Sequence, residues 1–326
     1  MDPNATAPNQ SCNLHDCEEV AQVLFPLFYI LVFLMSVSGN GLVLYVVWAK
    51  RKKLNSTSLY LINLALSDML FTLALPGRIA YYVRCFDWPF GDLACRLTSV
   101  VFYANTYAGI GFMTCISLDR YLAMVHPHRL PRLRTARAGW VVCALVWLLV
   151  SVENVPLLFK EMLVNDGDRR ICREHGLGDF PSLPYRLLLV CTINFCFPLV
   201  VILFCYAQVN SKLSRAAKHN PVTHRSVHSQ RAGGIILLIL LTFVVCFSPY
   251  HINTASFGVR VLLRQPSCEE QKAFKTPLLV TISMMNVNCC LDPVLYFLAI
   301  KTYRQRVLSL FGGHVSTSVS PVPTKP

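Results

Sequence analysis

Asp119-Arg120-Tyr121 stands at the end of the third of seven apolar segments, and Asp292-Pro293-Val294-Leu295-Tyr296 lies inside the seventh. Charged side chains are costly within a membrane span, so each of them is a candidate functional residue by default. Two such motifs, in this order along seven spans, indicate an integral membrane protein whose helices do more than anchor it.

The composition indicates a membrane protein independently of any motif. Hydrophobic residues make up 54% of the 326 residues and charged residues 14%, with a mean hydropathy of +0.47, whereas about 25% of a soluble domain is charged. Crossing a bilayer as a helix takes about 20 apolar residues. We therefore predict an all-α, seven-transmembrane helix bundle. Its spans are predicted at Val23–Trp48, Thr57–Val83, Ala94–Val125, Ala138–Phe159, Pro184–Lys212, Gly233–Val259 and Thr276–Ile300.

Charge patterning predicts the orientation. Residues 50–53, 129–137, 212–231 and 301–325 hold 17 Lys and Arg and no acidic residue. Since such an excess marks cytoplasmic loops, the N-terminus is predicted outside and the C-terminus inside. The same basic rim explains the net charge of +13 without a nucleic-acid partner. Residues 1–22 lack the apolar core of a cleaved signal peptide, so the first span is predicted to act as the targeting signal.

The predicted outer tail carries two N-glycosylation sequons, which begin at Asn4 and Asn9. A three-residue pattern also arises by chance, but this location favours use. A third sequon, Asn55-Ser56-Thr57, falls in the first cytoplasmic loop and is predicted to stay unmodified.

Six cysteines fall on the predicted outer side, where oxidising conditions favour disulfides. Connectivity does not follow from spacing alone. The cysteines within spans are interpreted as small apolar residues, and they have no metal-ligand spacing. The outer cysteines are Cys12, Cys17, Cys85, Cys95, Cys172 and Cys268.

These motifs resemble those of the rhodopsin-like (class A) G-protein-coupled receptors. Further matches are Gly39-Asn40, Leu64-Ala65-Leu66-Ser67-Asp68, Trp147, Pro198, Tyr206 and Cys246-Phe247-Ser248-Pro249. The resemblance implies a plasma-membrane receptor that works with a heterotrimeric G protein, arrestin and membrane lipids. It also implies four parts: an outer tail (1–22), the seven-transmembrane domain (23–300), an amphipathic eighth helix (301–311) and a cytoplasmic tail (312–326).

The resemblance assigns an activation switch to Arg120. Asp119 holds this arginine until activation releases it towards a cytoplasmic cleft, where Tyr206 and Tyr296 bond the new arrangement. The alternative is a helix-end arginine that reaches for the interface. The other switch residues that the resemblance implies are Tyr121, Phe247, Pro249, Asp292 and Pro293.

The resemblance also implies disulfides and an ion site. Cys95 pairs with Cys172, and Cys12 with Cys268 as in some peptide and lipid receptors. Cys17 and Cys85 then remain to pair, with Cys17–Cys268 as the competing connectivity.

Asp68 is predicted to share a polar cavity with Asn105, Asn288 and Asp292, where oxygen ligands suit a sodium ion. No other cofactor is expected. Gly109 replaces a serine that is common at such sites. A protonated Asp68 in a water-filled hydrogen-bond network is an equally good interpretation.

Residues that the sequence lacks exclude two classes of ligand. An amine receptor needs an acid where Phe102 stands, and an opsin needs a lysine where Met285 stands. The remaining pocket is aromatic and mostly apolar, which suits an apolar ligand held by a few polar contacts. Its predicted ligand-binding residues are Arg78, Phe102, Tyr103, Tyr107, Glu153, Tyr250 and His251.

Stretches such as Ala74–Tyr82, Val101–Gly109 and Phe247–His251 are similar to the oxysterol-sensing chemotactic receptors of this family. That similarity implies a hydroxylated sterol bound by Arg78 and three tyrosines, an inhibitory G protein and immune-cell migration. Another lipid, a nucleotide or a peptide is the alternative ligand, and the tyrosine pair at 103 and 107 also fits plain packing at i,i+4.

Two other functional classes explain the sequence less well. A transporter or channel predicts inverted repeats and midplane polar rows, and neither is found. An enzyme predicts a nucleophile with its base, a metal motif or a phosphate loop, and the sequence has none. We therefore expect a receptor and no enzymatic activity.

Overall fold

The computed structural model describes residues 19–50, 54–127, 131–172, 183–219, 225–264 and 267–310. Within them, seven helices are long and apolar enough to cross a membrane, which confirms the predicted seven-helix bundle. The spans are Gln22–Ala49, Ser56–Val83, Gly91–Val125, Ala136–Phe159, Leu187–Ala216, Arg231–Leu263 and Cys268–Ala299.

The first four spans are largely regular helices. They are α1 (Glu19–Lys50), α2 (Ser56–Val83), α3 (Gly91–Val125) and α4 (Ala136–Asn154), the last of which continues as a 3-10 segment, Val155–Phe159. Asn55, predicted as an unused sequon, is the N-cap of α2, and its side chain accepts a hydrogen bond from the Ser58 amide at 2.8 Å.

The fifth and sixth spans each contain one π-helical turn. The fifth is α5 (Leu183–Cys191), Thr192–Cys196 and α6 (Phe197–His219); the sixth is α7 (Arg225–Thr242), Phe243–Phe247 and α8 (Ser248–Leu263). In both, a proline follows the π turn by two residues, at Pro198 and Pro249. Proline lacks the N–H of a regular helical turn, and the wider turn supplies other bonds. The Phe243 carbonyl, for example, accepts from the backbone N–H and the hydroxyl of Ser248.

The seventh span begins at Cys268 rather than at the predicted Thr276. It comprises α9 (Cys268–Asn286) and α10 (Asn288–Ala299). A capping box starts α9: Ser267 accepts from the Glu270 amide at 3.3 Å, and Glu270 accepts from the Ser267 amide at 3.0 Å. Hydropathy missed this start because the first two turns are polar.

A hairpin and a short helix complete the described chain. Antiparallel β1 (Leu163–Asp166) and β2 (Arg169–Cys172) connect the fourth span to the fifth. Helix α11 (Lys301–Leu310) follows the seventh span, and its buried Tyr303 packs against Tyr296 of α10. The amphipathic, membrane-lying role of this segment stays a prediction, as does the division into four parts.

The disulfide between Cys95 and Cys172 is present, with a Cα–Cα distance of 5.7 Å, as predicted. It fixes β2 to the start of α3, and we call this end of the bundle the disulfide end and the opposite one the Arg120 end. Cys85 and Cys268 are each disulfide-bonded. Cys12 and Cys17 lie outside the described residues, so their pairing stays a prediction; Asn4 and Asn9 lie outside as well.

Close helix packing rests on glycine where α1 meets α10. A Cβ at Gly39 would overlap the Pro293 ring, whereas a Cβ at Gly41 would meet no atom within 4 Å. Lipid offers no hydrophobic force that would drive membrane helices together, so their association relies on close packing, which small residues permit. Gly39 therefore sets the distance between the first and seventh spans.

We expect Gly39→Ala to destabilise the bundle by about 1–3 kcal/mol, the usual cost of overpacking. Gly41→Ala is the matched control and should be neutral or slightly stabilising, because alanine is the better helix former. Thermal unfolding of the two purified variants measures the difference. Equal midpoints would show that α1 and α10 have room to separate.

Candidate functional site

Asp119, at the Arg120 end of α3, is held by the start of α2. Its two carboxylate oxygens accept hydrogen bonds from Ser56 Oγ at 2.6 Å and Thr57 Oγ1 at 2.5 Å. Ser56 and Thr57 form the first turn of α2, whose N-terminus favours a negative charge. The buried carboxylate of Asp119 is therefore stabilised by two hydroxyl donors and by the dipole of α2.

Arg120 is bound in the same cluster. Its guanidinium pairs with Asp119 at 3.1 Å and also donates to Thr57 Oγ1. The Nε of Arg134, in the short 3-10 turn before α4, lies 3.7 Å from the other oxygen of Asp119. Only 13% of the Arg120 side chain is exposed. An arginine that reached for the interface would place its guanidinium in water, so this geometry disagrees with the alternative, and the switch role stays a prediction. We call Ser56, Thr57, Asp119, Arg120 and Arg134 the arginine clamp.

Sequence reasoning identified only two members of this clamp. The sequence places Ser56 and Thr57 in a sequon at the start of the second span and Arg134 in the basic rim, and it gives none of them a role beside Asp119. The N-cap pattern that begins at Asn55 is the local signal that places two hydroxyls at a helix start.

The neighbouring switch residues make other contacts in this structure. Tyr121 bonds His126 Nε2 at 3.1 Å and packs its ring against Phe204 of α6, with centroids 5.5 Å apart. Tyr206, also on α6, is half-buried. Lys212 Nζ donates to the Val125 carbonyl at 3.3 Å and ties α6 to the end of α3.

Tyr296 is fully buried and ties the seventh span to the first. Its hydroxyl donates to Asn40 Oδ1 at 3.0 Å, and Asn40 Nδ2 donates to the Cys289 carbonyl at 3.0 Å and to Ser36 Oγ at 3.1 Å. Its predicted contact with the released Arg120 would therefore require this bond to break first.

A buried acid pair occupies the middle of the bundle. The carboxyl groups of Asp68 and Asp292 lie side by side, both 0% exposed. None of their four oxygens accepts a hydrogen bond from a described residue, nor does Asn288 Nδ2 donate one. Asn105 lies next to Asp68, and its Oδ1 accepts from Ser67 Oγ at 3.0 Å. The structure thus brings the predicted polar network together.

The donor set fits the sodium ion that the resemblance implies. Two adjacent carboxyl groups supply hard oxygen ligands, which suit such a cation. Gly109 faces the same cavity, since a Cβ built on it would lie 3.5 Å from Asn288 Nδ2. Because glycine has no side chain, position 109 supplies no hydroxyl ligand. The described residues contain no group of three His, Cys, Asp or Glu that would hold a metal. A sodium ion would therefore rely on Asp68, Asp292 and the Asn288 amide.

Arg78 lies on the disulfide-end half of α2 and is buried, at 3% exposed. Its Cζ is 4.8 Å from the centroid of the Phe102 ring, a cation–π distance. Phe102 packs edge-on against Tyr103, whose ring lies parallel to that of Tyr107 at 6.2 Å between centroids. The buried Tyr250 of α8 lies next to Tyr103. Five predicted pocket residues thus converge between α2, α3 and α8.

His251 and Glu153 are held by partners that the sequence did not reveal. His251 Nδ1 lies 2.8 Å from the Phe247 carbonyl, and its ring stacks on Phe195 at 4.5 Å between centroids. Glu153 accepts a hydrogen bond from Asn194 at 2.8 Å. Asn194 and Phe195 both belong to the π turn of the fifth span. A bulge of this kind redirects side chains, so the helical periodicity of the sequence could not assign them.

Comparison with known proteins places these features in one family. The model of the family described as "7 transmembrane receptor (rhodopsin family)" matches residues 39–296. G-protein coupled receptor 183 of Homo sapiens is 43% identical over 98% of this chain and 89% of its own length, and the Mus musculus protein is 43% identical over 98% and 90%. Cysteinyl leukotriene receptor 2 of Homo sapiens is 32% identical over 96% and 89%.

The chain therefore belongs to the rhodopsin family of seven-transmembrane G-protein-coupled receptors. It is a multi-pass membrane receptor with a ligand and a G-protein partner, and it is not an enzyme. This confirms the resemblance that the Asp119 and Asp292 motifs carried.

We expect Thr57→Val to raise ligand-free G-protein activation severalfold. Valine keeps the shape but removes the hydroxyl that Arg120 and Asp119 share, and such charged hydrogen bonds contribute about 1.5–3 kcal/mol. Nucleotide exchange on purified receptor and G protein, without ligand, measures the effect. Thr114→Val on α3 is the control, since its hydroxyl bonds the Ile110 carbonyl within its own helix. Unchanged basal exchange in Thr57→Val would show that the clamp does not restrain activation.

Proposed function

We propose that this receptor binds a hydroxylated sterol, activates an inhibitory G protein and directs the migration of immune cells. The observation that carries the ligand class is the buried Arg78, set among Phe102, Tyr103 and Tyr250. A rigid apolar ligand fills such an aromatic site, and a guanidinium and phenols fix its hydroxyl groups. Arrestin is proposed as a further partner on the same family grounds.

The relatives support a ligand of lipid character. A 32% identical relative is by its name a receptor for cysteinyl leukotrienes. The alternative ligand is therefore another lipid whose anionic group pairs with Arg78, ahead of a nucleotide or a peptide. A neutral sterol and an anionic lipid differ in what they need from position 78, because only the anion requires a full positive charge.

We also propose that the disulfide end faces outward at the plasma membrane and the Arg120 end faces the cytoplasm. The basic segments all adjoin the Arg120 end, and the Cys95–Cys172 bond suits an oxidising exterior. A ligand would then act by population shift: it binds the state with the open cytoplasmic cleft more tightly than the closed one.

We expect Arg78→Ala to weaken activation by a hydroxylated sterol about tenfold or more, since a hydrogen bond to a charged group contributes about 1.5–3 kcal/mol. A dose–response curve of G-protein activation at matched surface expression measures it. Arg84→Ala is the control, because Arg84 lies at the same end of α2 but pairs with Asp87 at the surface.

Cysteinyl leukotriene and lysolipid belong in the same assay. Unchanged sterol potency in Arg78→Ala would refute sterol recognition by this residue. Activation by the anionic lipids alone would replace the sterol with the alternative ligand.

We further propose that Asp68 and Asp292 bind a sodium ion. Wild-type receptor should then unfold at a higher temperature in sodium chloride than in choline chloride at equal ionic strength, and Asp68→Asn should remove the difference. Asp92→Asn is the control, since Asp92 pairs with Arg96 at the disulfide end of α3. Equal midpoints for the wild type in both salts would favour the protonated network.

A further inference from the structure

A second cavity lies at the disulfide end, between α8 and α9. It has a volume of about 250 Å³ and is lined by residues of those two helices and by Arg264, the C-cap of α8. Arg78, Phe102, Tyr103 and Tyr250 do not line it. The cavity is thus distinct from the aromatic pocket proposed for the sterol.

The inner wall of this cavity is apolar. The rings of Phe257 and Phe274 stack with their centroids 4.0 Å apart and their planes 13° apart. Ala273 and Pro277 of α9 extend the same wall. This group of side chains suits a hydrocarbon chain.

The rim carries an uneven set of charges. Arg264 pairs with Glu270, which also caps α9 through the Ser267 amide. Arg260, one turn before Arg264, makes no ion pair within the described part of the chain. It lies close enough to Glu270 to interact with that carboxylate electrostatically. Two guanidiniums therefore face one carboxylate, which leaves a net positive charge.

Two polar side chains of α8 also line the cavity. They are Asn253 and Ser256. Together with the excess positive charge of the rim, they favour an oxygen-rich, negatively charged group.

We propose that this cavity binds an amphiphile through its anionic headgroup and one hydrocarbon chain. The headgroup lies against Arg260 at the rim, and the hydrocarbon chain covers Phe257 and Phe274. The volume is below the roughly 300–1,000 Å³ of a pocket for a drug-sized ligand, so only the head and the first part of the chain fit inside.

Apolar side chains next to the cavity can contact the rest of the ligand's hydrocarbon chain. Ile252 of α8 and Val280 of α9 are exposed and lie one turn deeper in the bundle than Ser256 and Pro277 of the cavity. A hydrocarbon chain that extends from the cavity along the helices would therefore lie against apolar side chains. Its occupant arrives either as a bilayer lipid or as a free fatty acid, and both sources share this chemistry.

The test uses the full-length receptor in phosphatidylcholine nanodiscs and labelled oleate as the probe, with empty nanodiscs subtracted. Arg260→Gln should lower the affinity for oleate about tenfold. Ala273→Trp, which fills the cavity, should abolish binding. Arg84→Gln, at the same end but outside the cavity, should bind as the wild type does, and sterol activation should persist in all three.

Probe chemistry separates the parts of the proposal. Oleyl alcohol, which lacks the charge, and acetate, which lacks the chain, should both compete poorly. Phosphatidylglycerol added to the nanodiscs should weaken oleate binding if a bilayer lipid is the occupant, and should leave it unchanged if the free acid is.

Three results would overturn the proposal. These are wild-type oleate affinity in both Arg260→Gln and Ala273→Trp, competition by acetate equal to that of oleate, or competition by oleyl alcohol equal to that of oleate. If Arg260→Gln fails to fold, Ala273→Trp decides the question alone.

Discussion

Every backbone N–H and C=O that crosses a bilayer has to find its partner within the protein, because lipid offers none. Two prolines of the described spans show how the chain meets that constraint. At Pro198 and Pro249 a π turn precedes the ring, and at the second of these the Ser248 hydroxyl reinforces the Phe243 carbonyl. The irregular turns also redirect side chains. Phe195 and Asn194 of the fifth span owe their contacts with His251 and Glu153 to one of these turns.

The same low dielectric governs the charged groups. Leaving one partner of a buried ion pair unmatched costs about 3–5 kcal/mol, and Asp119 therefore has four partners rather than one. Two of these are hydroxyls of α2, and the other two are guanidiniums. In the proposed switch, activation would separate Arg120 from this whole set, whereas Asp119 would keep Ser56, Thr57 and Arg134. The free-energy cost of releasing the arginine would be lowered because its carboxylate partner would keep these three contacts.

The seven spans and the Asp119–Arg120 pair could be predicted because each is encoded in local hydropathy or in a short motif, whereas the Cys95–Cys172 bond was implied by the family resemblance. The clamp hydroxyls could not, since Thr57 and Asp119 are 62 residues apart and meet only in the folded bundle. The start of α9 at Cys268 was missed for another reason: a capping box, not hydropathy, defines it. The π turns break the periodicity on which any assignment of facing residues depends.

Helix α2 connects the two ends of the molecule. It carries Arg78, Asp68 and Thr57, spaced about 15 Å apart at 1.5 Å per residue, and each lies against α3 or its neighbours: Arg78 on Phe102, Asp68 beside Asn105, and Thr57 on Asp119. Polar and ionic contacts at three levels make α2 and α3 one rigid frame. A ligand that touches only this frame has nothing to move. Tyr250 stands on the sixth span, directly after a π turn and Pro249. Contact between the ligand and Tyr250 is therefore the step that would couple binding at Arg78 to a movement of the sixth span and so to the release of Arg120.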